Sequence, residues 1–340
     1  MTRIAIVFTG GTISMRNDPV AGGNVPVLGG SALLETVPGL VEIADLVPID
    51  RGLTPASHFT FDALFGVSRA VEDALASDDV EGAVVVQGTD TIEETAFFLD
   101  LLHHGAKPIV VTGAMRSASF ADYDGPANLT AAVTVAADPA VGAADVGVVV
   151  VLDGSIEAAD DVTKTHASAF DTFRSLNRGS LGRVVAGAVK LTASRGPRRR
   201  VVADRAAERV FLVTATVASD GTPIAALHAV GADGFVVAAT GAGNTSASLL
   251  AAAEAALADG LPVVLATRCP AGAASDGYAF RGGGATWIRA GAIAAGHLTG
   301  EKARIALALG IGAGLDRAGL VAFLADPAPI HDRDRYWEVG

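Results

Sequence analysis

An alternation of short strand-like runs with longer helical patterns restricts the fold of this chain more than any other feature of its sequence. Nearly continuous apolar runs lie at residues 3–9, 82–87, 108–112 and 146–152. Such runs are typical of parallel strands that are covered on both faces. Helical patterns lie between them at residues 61–77, 91–104 and 125–137. Repeated strand–helix–strand units predict a parallel sheet flanked by helices.

A stretch rich in Gly, Pro and Arg interrupts this alternation between residues 191 and 207. The pattern then resumes, with strands at 210–214, 234–239 and 262–267 and helices at 244–258 and 301–308. The chain has 340 residues, enough for two domains of roughly 100–200 residues each. We predict an α/β fold with a larger N-terminal domain over 1–190, a linker over 191–207 and a smaller C-terminal α/β domain over 208–340. The basic cluster at 195–200 is interpreted as part of a solvated linker.

Composition argues against several classes of partner. The net charge is −12, and a surface of that sign repels phosphate backbones and anionic lipids, so we expect no nucleic-acid and no membrane partner. No uninterrupted apolar run reaches the roughly 18 residues that a membrane-spanning helix needs. Cys269 is the only cysteine, so no disulfide forms within the chain. The apolar stretch near the N-terminus is too short for a secretion signal and leads directly into a glycine turn, so a cytoplasmic location is expected.

Ligands of open parallel sheets bind beyond the carboxyl ends of the strands, so a site is expected in the loops that follow the strands. The first such loop is Thr9-Gly10-Gly11-Thr12-Ile13. Its two glycines allow a sharp turn that leaves the Thr12 hydroxyl facing the crevice. One interpretation is that this hydroxyl has a catalytic role, and a simpler one is a tight turn with a helix cap. A third interpretation is a dinucleotide-binding loop, although the GxGxxG spacing is absent.

A second polar loop follows the strand at 82–87 and opens a helix. Thr91 and Glu94 have the spacing of a capping box, so part of this motif is ordinary helix initiation. Thr89 and Asp90 stand just before that cap. A hydroxyl and a carboxylate together there could hold a water molecule and an ammonium group.

A third loop contains Lys164 among short hydroxyl residues, in the segment DVTKTH at 161–166. A lysine in such a place is ordinarily a solvated surface residue. If it is instead buried beside Thr89, it can accept a proton from a threonine or a water molecule. Positioned acid–base groups of this kind raise rates by roughly 10²–10⁴. We expect neither a metal nor another cofactor, because no metal-ligand spacing occurs among the histidines at positions 58, 103, 104, 166, 228, 297 and 331.

The joint pattern of motifs is more specific than any of its parts. TGGTIS follows the first strand, GTDTIEETA follows a middle strand, VTGAMR follows the next one, and DVTKT stands at 161–165. With these motifs in this order, the sequence resembles the bacterial L-asparaginase family of the asparaginase/glutaminase type. The resemblance extends over nearly the whole chain, from Ile4 to the segment KARIALALG at 302–310.

The resemblance implies a catalytic role for four matching residues. Thr12 would be the nucleophile that attacks the amide carbon of the substrate. Thr89, Asp90 and Lys164 would form a second polar triad that transfers protons and activates the hydrolytic water. Asp90 would also pair with the α-ammonium group of the substrate.

A second set of matching residues would bind the substrate, a small amino-acid amide. Ser57 would hydrogen-bond its α-carboxylate, and His58 stands where relatives often carry a polar side chain that contacts the substrate. Ala114 would offer backbone groups to the amide that is cleaved, and loss of one oxyanion donor typically lowers rates about 10²–10³-fold. Gly11 and Gly88 complete the expected set.

The sequence departs from the family pattern at two places. Relatives usually carry a tyrosine that polarises the nucleophile in a mobile loop after the TGGTI turn, whereas residues 14–26 contain none. The glutamate that a neighbouring subunit supplies in the family has no clear match around residues 276–279. The tyrosines of the chain are Tyr123, Tyr278 and Tyr336. Three interpretations are open: Lys164 and Thr89 carry more of the proton transfer, Tyr278 reaches in from a partner subunit, or the substrate is not free asparagine or turnover is slow.

The leading hypothesis is an L-asparaginase-like amidohydrolase that converts L-asparagine to L-aspartate and ammonia. An enzyme of the same fold that acts on glutamine, D-asparagine or an N-substituted asparagine is an alternative. Another is a binding or regulatory protein that kept the pocket but lost hydrolysis. The missing tyrosine favours this last reading, and the intact Thr12, Thr89, Asp90 and Lys164 oppose it. Relatives assemble as homotetramers built from close dimers, so a homo-oligomer, dimer or tetramer, is expected.

Overall fold

The fold is that of a computed structural model, which describes residues 1–327 apart from the side chain of Pro26. The chain forms two compact units. The first comprises Met1–Ser175 and Gly179–Gly196, and the second comprises Leu176–Arg178 and the chain from Pro197 onward. This change of unit falls within the predicted linker over 191–207. The end of the predicted C-terminal domain, 328–340 with His331 and Tyr336, lies outside the described residues.

The first unit is a layered structure of strands and helices. Its strands are β1 (Arg3–Phe8), β2 (Met15–Asp18), β3 (Gly23–Pro26), β4 (Asp45–Asp50), β5 (Val80–Val86), β6 (Ile109–Thr112), β7 (Val148–Leu152), β8 (Ser155–Ala158), β9 (Val162–Lys164), β10 (Phe173–Ser175), β11 (Gly182–Val185) and β12 (Ala188–Leu191). Its α-helices are α1 (Gly30–Glu35), α2 (Phe61–Leu75), α3 (Ile92–Leu102), α4 (Gly125–Ala137) and α5 (Pro139–Ala143). Short 3₁₀ helices lie at Thr12–Ser14, Pro38–Glu42, Ala56–His58 and Thr89–Thr91.

The central sheet of the first unit has eight strands in the order β12-β11-β8-β7-β6-β5-β1-β4. The strands from β4 to β7 in this order pair in parallel, as the strand–helix alternation predicts. β8, β11 and β12 pair antiparallel, so the sheet as a whole is mixed rather than parallel. The difference has a local cause. Asp153 and Gly154 between β7 and β8 have positive φ angles of 49° and 68°, and a two-residue turn of this kind folds the chain back as a hairpin.

Helices cover both faces of this sheet, because successive side chains of a strand point to opposite faces. Ile4, Ile6 and Phe8 of β1 pack in a core cluster with α4. Ala5 and Val7 pack in a second cluster with α2 and α3. Each of these five residues is at most 2% exposed. Burial on both faces explains why the strands appear in the sequence as continuous apolar runs.

β1 and β5 lie side by side, but the chain leaves them in opposite directions. From β1 it passes to β4 at one edge of the sheet, and from β5 it passes to β6 and β7 toward the other edge. Adjacent strands whose connections diverge leave a crevice beyond their carboxyl ends, where ligands of open α/β sheets bind. The loops that begin at Thr9 and Gln87 border this crevice.

The second unit has a smaller, parallel sheet in the order β13 (Val210–Thr214), β14 (Gly234–Ala239), β15 (Val263–Thr267) and β16 (Ile293–Ala294). Its helices are α6 (Thr222–Ala229), α7 (Ala247–Ala258), α8 (Gly284–Ala290), α9 (Gly300–Gly312) and α10 (Arg317–Leu324). β13 and β14 have the bounds predicted from the sequence, and α7 and α9 correspond to the predicted helices. In the described part of the chain, no helix is long and apolar enough to cross a membrane.

Two arginines of the basic cluster are buried, contrary to the prediction of a solvated linker, whereas Arg200 is exposed. Arg195 is 5% exposed, and its guanidinium donates to Asp100 Oδ1 at 2.8 Å and to Asp160 Oδ1 at 3.0 Å. Arg199 is 7% exposed and donates to Asp326 within the second unit. A buried charge is tolerated only when it is paired and hydrogen-bonded. These carboxylates lie far away along the chain, so the local composition gave no sign of them.

Candidate active site

Two glycines shape the turn after β1. Gly10 and Gly11 have φ angles of 104° and 95°, in a region that residues with a side chain rarely adopt. The turn is fixed at its start, where the Thr9 N–H donates to the Val86 carbonyl at 3.0 Å. A methyl group on Gly11 would lie 2.0 Å from the backbone nitrogen of Gly88. Glycine therefore allows the turn after β1 and the loop after β5 to meet backbone against backbone.

Thr12 follows this contact directly and opens the 3₁₀ helix Thr12–Ser14. Its side chain is partly exposed, and its hydroxyl makes no hydrogen bond with any group in residues 1–327. The hydroxyl is thus available to a ligand in the crevice. The chain continues into an antiparallel hairpin of β2 and β3, in which Asn17 pairs with Asn24. This hairpin is the segment in which a tyrosine is absent.

Lys164, at the end of β9, joins the third loop to the second. Its Nζ donates to Thr89 Oγ1 at 3.0 Å and to Asp90 Oδ1 at 3.1 Å. The Lys164 side chain is 13% exposed, whereas the Asp90 side chain is 74% exposed. The lysine is therefore not a solvated surface residue. Because the ammonium group donates to the Thr89 oxygen, the hydroxyl hydrogen of Thr89 is left for an acceptor in the crevice.

Thr91 begins α3 without the predicted capping hydrogen bond. Its hydroxyl donates instead to the Ala56 carbonyl at 3.2 Å. The capping box predicted from Thr91 and Glu94 is therefore wrong in its threonine bond. The acceptor lies 35 residues away in the sequence instead of in the first turn of α3, and this hydrogen bond connects a second segment to the loop after β5.

That second segment is the 3₁₀ helix Ala56–His58, which carries Ser57 and His58. A methyl group on Gly88 would lie 3.2 Å from Ala56 Cβ, so the helix packs directly against the loop. The side chains of Ser57 and His58 are exposed, and neither makes a hydrogen bond within the described chain. Both are free to contact a ligand at this end of the crevice.

The turn after β6 lies against Thr89. A methyl group on Gly113 would lie 2.5 Å from the Gln87 carbonyl oxygen and 3.3 Å from Thr89 Cγ2. Ala114 follows Gly113 and is fully buried. Its expected contact with the substrate amide stays a prediction.

The start of α4 fixes this turn through two residues that the sequence analysis missed. The Asp124 carboxylate accepts from the backbone N–H groups of Met115 at 2.9 Å and Arg116 at 2.8 Å. The Asn128 side-chain amide donates to the Gly113 carbonyl at 3.0 Å. An available signal was the Asp-Gly-Pro sequence at the start of the helical pattern, which is typical of a helix N-terminus.

Tyr123 was also left without a role by the sequence. Its hydroxyl donates to the Ile13 carbonyl at 2.8 Å, directly after Thr12. Burial and the neighbouring Asp124 carboxylate raise the pKa of Tyr123 to about 12, since both disfavour the phenolate. Tyr123 is therefore a hydrogen-bond donor at neutral pH. Tyr278 lies in the second unit, and its role at a partner's site stays a prediction.

The approach of Gly11 to Gly88 and the bonds from Lys164 to Thr89 and Asp90 link loops that carry a free hydroxyl, a shielded ammonium group and an exposed carboxylate. A free threonine hydroxyl can attack a carbonyl carbon once its proton is removed. A lysine that is hydrogen-bonded to a second hydroxyl can assist proton transfer. An exposed carboxylate can bind a cationic group of a ligand. Within residues 1–327, no group of three or more His, Cys, Asp or Glu could hold a metal ion.

The chain is similar to known proteins over both units. Residues 3–196 match the family model described as "Asparaginase, N-terminal", and residues 209–324 match "Glutaminase/Asparaginase C-terminal domain". The chain is 38% identical over 326 residues to "Probable L-asparaginase" of Deinococcus radiodurans, and the aligned region covers 93% of this chain and 95% of that protein. It is 33% identical over 322 residues to "Probable L-asparaginase periplasmic" of Haemophilus influenzae, over 92% of this chain and 89% of that protein.

A solved structure shares the fold. It is the crystal structure of "Probable Cytoplasmic L-asparaginase from Campylobacter jejuni", with a TM-score of 0.82 and 27% identity over 95% of this chain and 99% of that chain. Sequence and fold agree, and both family models match in the expected order along the chain. This chain belongs to the asparaginase family, whose members are hydrolases of amide bonds.

Proposed function

We propose that this chain hydrolyses the side-chain amide of L-asparagine to L-aspartate and ammonia, with Thr12 as the nucleophile. The observation that carries the proposal is the bonding of Lys164 to both Thr89 and Asp90, beside the contact of Gly11 with the loop after β5. Amide hydrolysis without a metal needs a nucleophile, groups that move protons and groups that bind the substrate. This crevice offers side chains of each kind.

Substrate binding relies on the two charged groups at the α-carbon of asparagine. The α-ammonium group pairs with the exposed Asp90 carboxylate. The α-carboxylate accepts a hydrogen bond from the Ser57 hydroxyl, and His58 borders the same end of the crevice. With both groups held, the side-chain amide is directed toward Thr12. Holding reactants in a near-attack geometry supplies a large part of enzymatic rate enhancement.

In the first half-reaction, Thr12 Oγ1 attacks the amide carbon and the carbonyl oxygen becomes an oxyanion. Backbone N–H groups bordering the crevice stabilise this charge. The proton of the Thr12 hydroxyl is passed to the amide nitrogen, and the C–N bond breaks. Ammonia leaves, and Thr12 is left as an aspartyl ester.

In the second half-reaction, a water molecule attacks the ester carbon. The Thr89 hydroxyl, polarised by the Lys164 ammonium group, positions the water. One proton of the water returns to Thr12 Oγ1 as the ester bond breaks. L-Aspartate is released and the enzyme is restored.

Ammonia release from a panel of amides tests the proposal. We expect release from L-asparagine, a fall in kcat of more than about 10³-fold in Thr12→Ala and a fall of about 10²–10⁴-fold in Lys164→Met. Two matched controls should keep the wild-type kcat. Thr134→Ala removes a hydroxyl that donates within α4, and Lys107→Met removes an ammonium group that donates to the backbone carbonyls of Leu75 and Ser77.

The outcomes separate the alternatives. Unchanged kcat in Thr12→Ala refutes the nucleophile. Release only from glutamine, D-asparagine or an N-substituted asparagine changes the substrate within the same fold. Binding of asparagine without ammonia release from any amide identifies a binding protein. Mass spectrometry of enzyme quenched during turnover should find the aspartyl group on the peptide that contains Thr12.

We also propose a homo-oligomer, dimer or tetramer, in the cytoplasm. The assembly is proposed from the family resemblance. The location is supported by the single cysteine and by the name of the Campylobacter protein, whereas the Haemophilus relative is named as periplasmic. A monomeric mass by light scattering, or recovery of the protein in a periplasmic fraction, would contradict the respective proposal.

A further inference from the structure

The carbonyl group that follows the nucleophile is held by a side chain 110 residues away. The donor is the Tyr123 hydroxyl, with 2.8 Å between its oxygen and the carbonyl oxygen of Ile13. The preceding carbonyl, that of Thr12, accepts from the backbone N–H of Met15 within the same turn. The contact made by Tyr123 therefore ties this local turn to a distant part of the first unit.

The Ile13 carbonyl matters because of the structure around Thr12. The helix Thr12–Ser14 is one turn of 3₁₀ helix, whose hydrogen-bond geometry is poorer than that of an α-helix. The Ile13 carbonyl lies in the peptide plane between Ile13 and Ser14, so rotation of this plane changes ψ of Ile13 and φ of Ser14 and shifts the short turn that begins at Thr12. A hydrogen bond to the Ile13 carbonyl opposes that rotation. A misplacement of about 1 Å in a reacting group can lower a rate about 10²-fold.

Tyr123 is itself held in place. Its ring lies against the start of α4, where a methyl group on Gly125 would be 2.3 Å from Tyr123 Cζ. The next residue, Asp124, accepts from the backbone N–H groups of Met115 and Arg116 in the turn after β6. One short segment thus contacts both the nucleophile turn and the turn after β6.

We propose that Tyr123 is a positioning residue that holds the backbone of the Thr12 turn and thereby aims the nucleophile. The inference rests on the proposed function of Thr12. It also gives a tyrosine a part in a site whose hairpin, β2 and β3, carries none. The phenol donates to a backbone carbonyl, so its loss affects the orientation of Thr12 and not the groups that bind the substrate.

The variant Tyr123→Phe tests this, because it keeps the ring and removes the donor. We expect kcat for L-asparagine to fall about 10- to 100-fold while KM stays within about 2-fold. Backbone amide exchange at Ser14 and Met15, followed by mass spectrometry, should rise. Thr130→Val is the matched control. It removes a hydroxyl that donates to a backbone carbonyl within α4 at 2.8 Å, and it should leave kcat and the exchange of the turn unchanged.

Each result decides between distinct conclusions. Unchanged kcat in Tyr123→Phe, or unchanged exchange at Ser14 and Met15, overturns the inference. An equal fall of kcat in Thr130→Val also overturns it, because the effect is then general destabilisation. If the wild-type protein releases no ammonia from any amide while exchange still rises in Tyr123→Phe, the proposed function fails and the hold on the turn stands.

Discussion

At the scale of residues, the crevice combines side chains that are held with side chains that are left free. Thr89 and Lys164 are shielded and bonded to each other, and Lys164 also holds one oxygen of Asp90, whose side chain is 74% exposed. The Thr12 hydroxyl has no partner in residues 1–327. Tyr123 belongs to the held group. Fixed donors and free reactive groups are the combination that preorganised catalysis requires.

The pH dependence of stability should report the environment of Tyr123. Its pKa is raised from 10.0 to about 12 by burial and by Asp124, so the folded state binds its proton more tightly than the unfolded state does. The resulting stability is fully present below pH 10 and is lost as the pH rises to about 12. We expect the difference in unfolding free energy between wild type and Tyr123→Phe to be constant from neutral pH to pH 10 and to shrink above it. A difference that stays constant up to pH 12 would contradict the raised pKa.

At the scale of elements, the site depends on how closely two loops approach. β1 and β5 are neighbours in the sheet, and their connections diverge. The loops can meet only where neither carries a side chain, and Gly11 and Gly88 meet this condition. Gly11 also has φ 95° and ψ −175°, a combination found essentially only in glycine.

Gly11→Ala should therefore abolish activity and destabilise the first unit. Its methyl group would lie 2.0 Å from the Gly88 nitrogen, so one loop must move. Gly22→Ala is the matched control: Gly22 also has positive φ, 70°, but no atom lies within 4 Å of the added methyl group. We expect Gly22→Ala to cost about 1 kcal/mol and Gly11→Ala at least about 2 kcal/mol more, as measured by urea unfolding. Equal losses in both variants would mean that the contact has no energetic consequence.

At the scale of the whole molecule, each of the two units has a hydrophobic core of its own. A buried ion cluster lies where the chain segment of the first unit ends. Arg195 stands next to the last residue of that unit and reaches Asp100 and Asp160 in its interior. Burial alone would lower the pKa of the Arg195 guanidinium. The two carboxylates raise that pKa by more than burial lowers it, so the group stays charged. The buried charges depend on one another, because loss of one leaves the opposite charges less well compensated in the interior.

Arg195→Leu should destabilise the first unit by about 3–5 kcal/mol, because it removes the guanidinium that pairs with the buried carboxylates of Asp100 and Asp160. The matched control is Arg174→Leu, which breaks an exposed pair with Asp171, with side chains 54% and 59% exposed. Exposed pairs contribute about 0–1 kcal/mol, so this variant should unfold close to wild type. A double variant, Arg195→Leu with Asp100→Leu, should recover part of the loss. No recovery would show that the arginine stabilises by packing alone.

Prediction from the sequence succeeded where the signal is local. β13, β14 and α4 have the predicted bounds, because strand and helix periodicities depend on neighbouring residues. The Asp153-Gly154 turn was a readable hairpin signal that the prediction of a parallel sheet did not use. The cap at Thr91 failed for the opposite reason, since its hydroxyl bonds to a carbonyl 35 residues away.

By itself, the sequence determined most of the central parallel strands, the longer helices and the chemical types of the side chains at the strand ends, because these follow from local periodicity and turn chemistry. It did not predict β4 or the strands from β8 to β12. Tertiary structure alone decided which of those side chains meet. Lys164 reaches Thr89 across 75 residues, and Tyr123 reaches Ile13 across 110. Contacts of this range depend on strand order and on how closely backbones can approach, and neither is encoded in any short stretch of the chain.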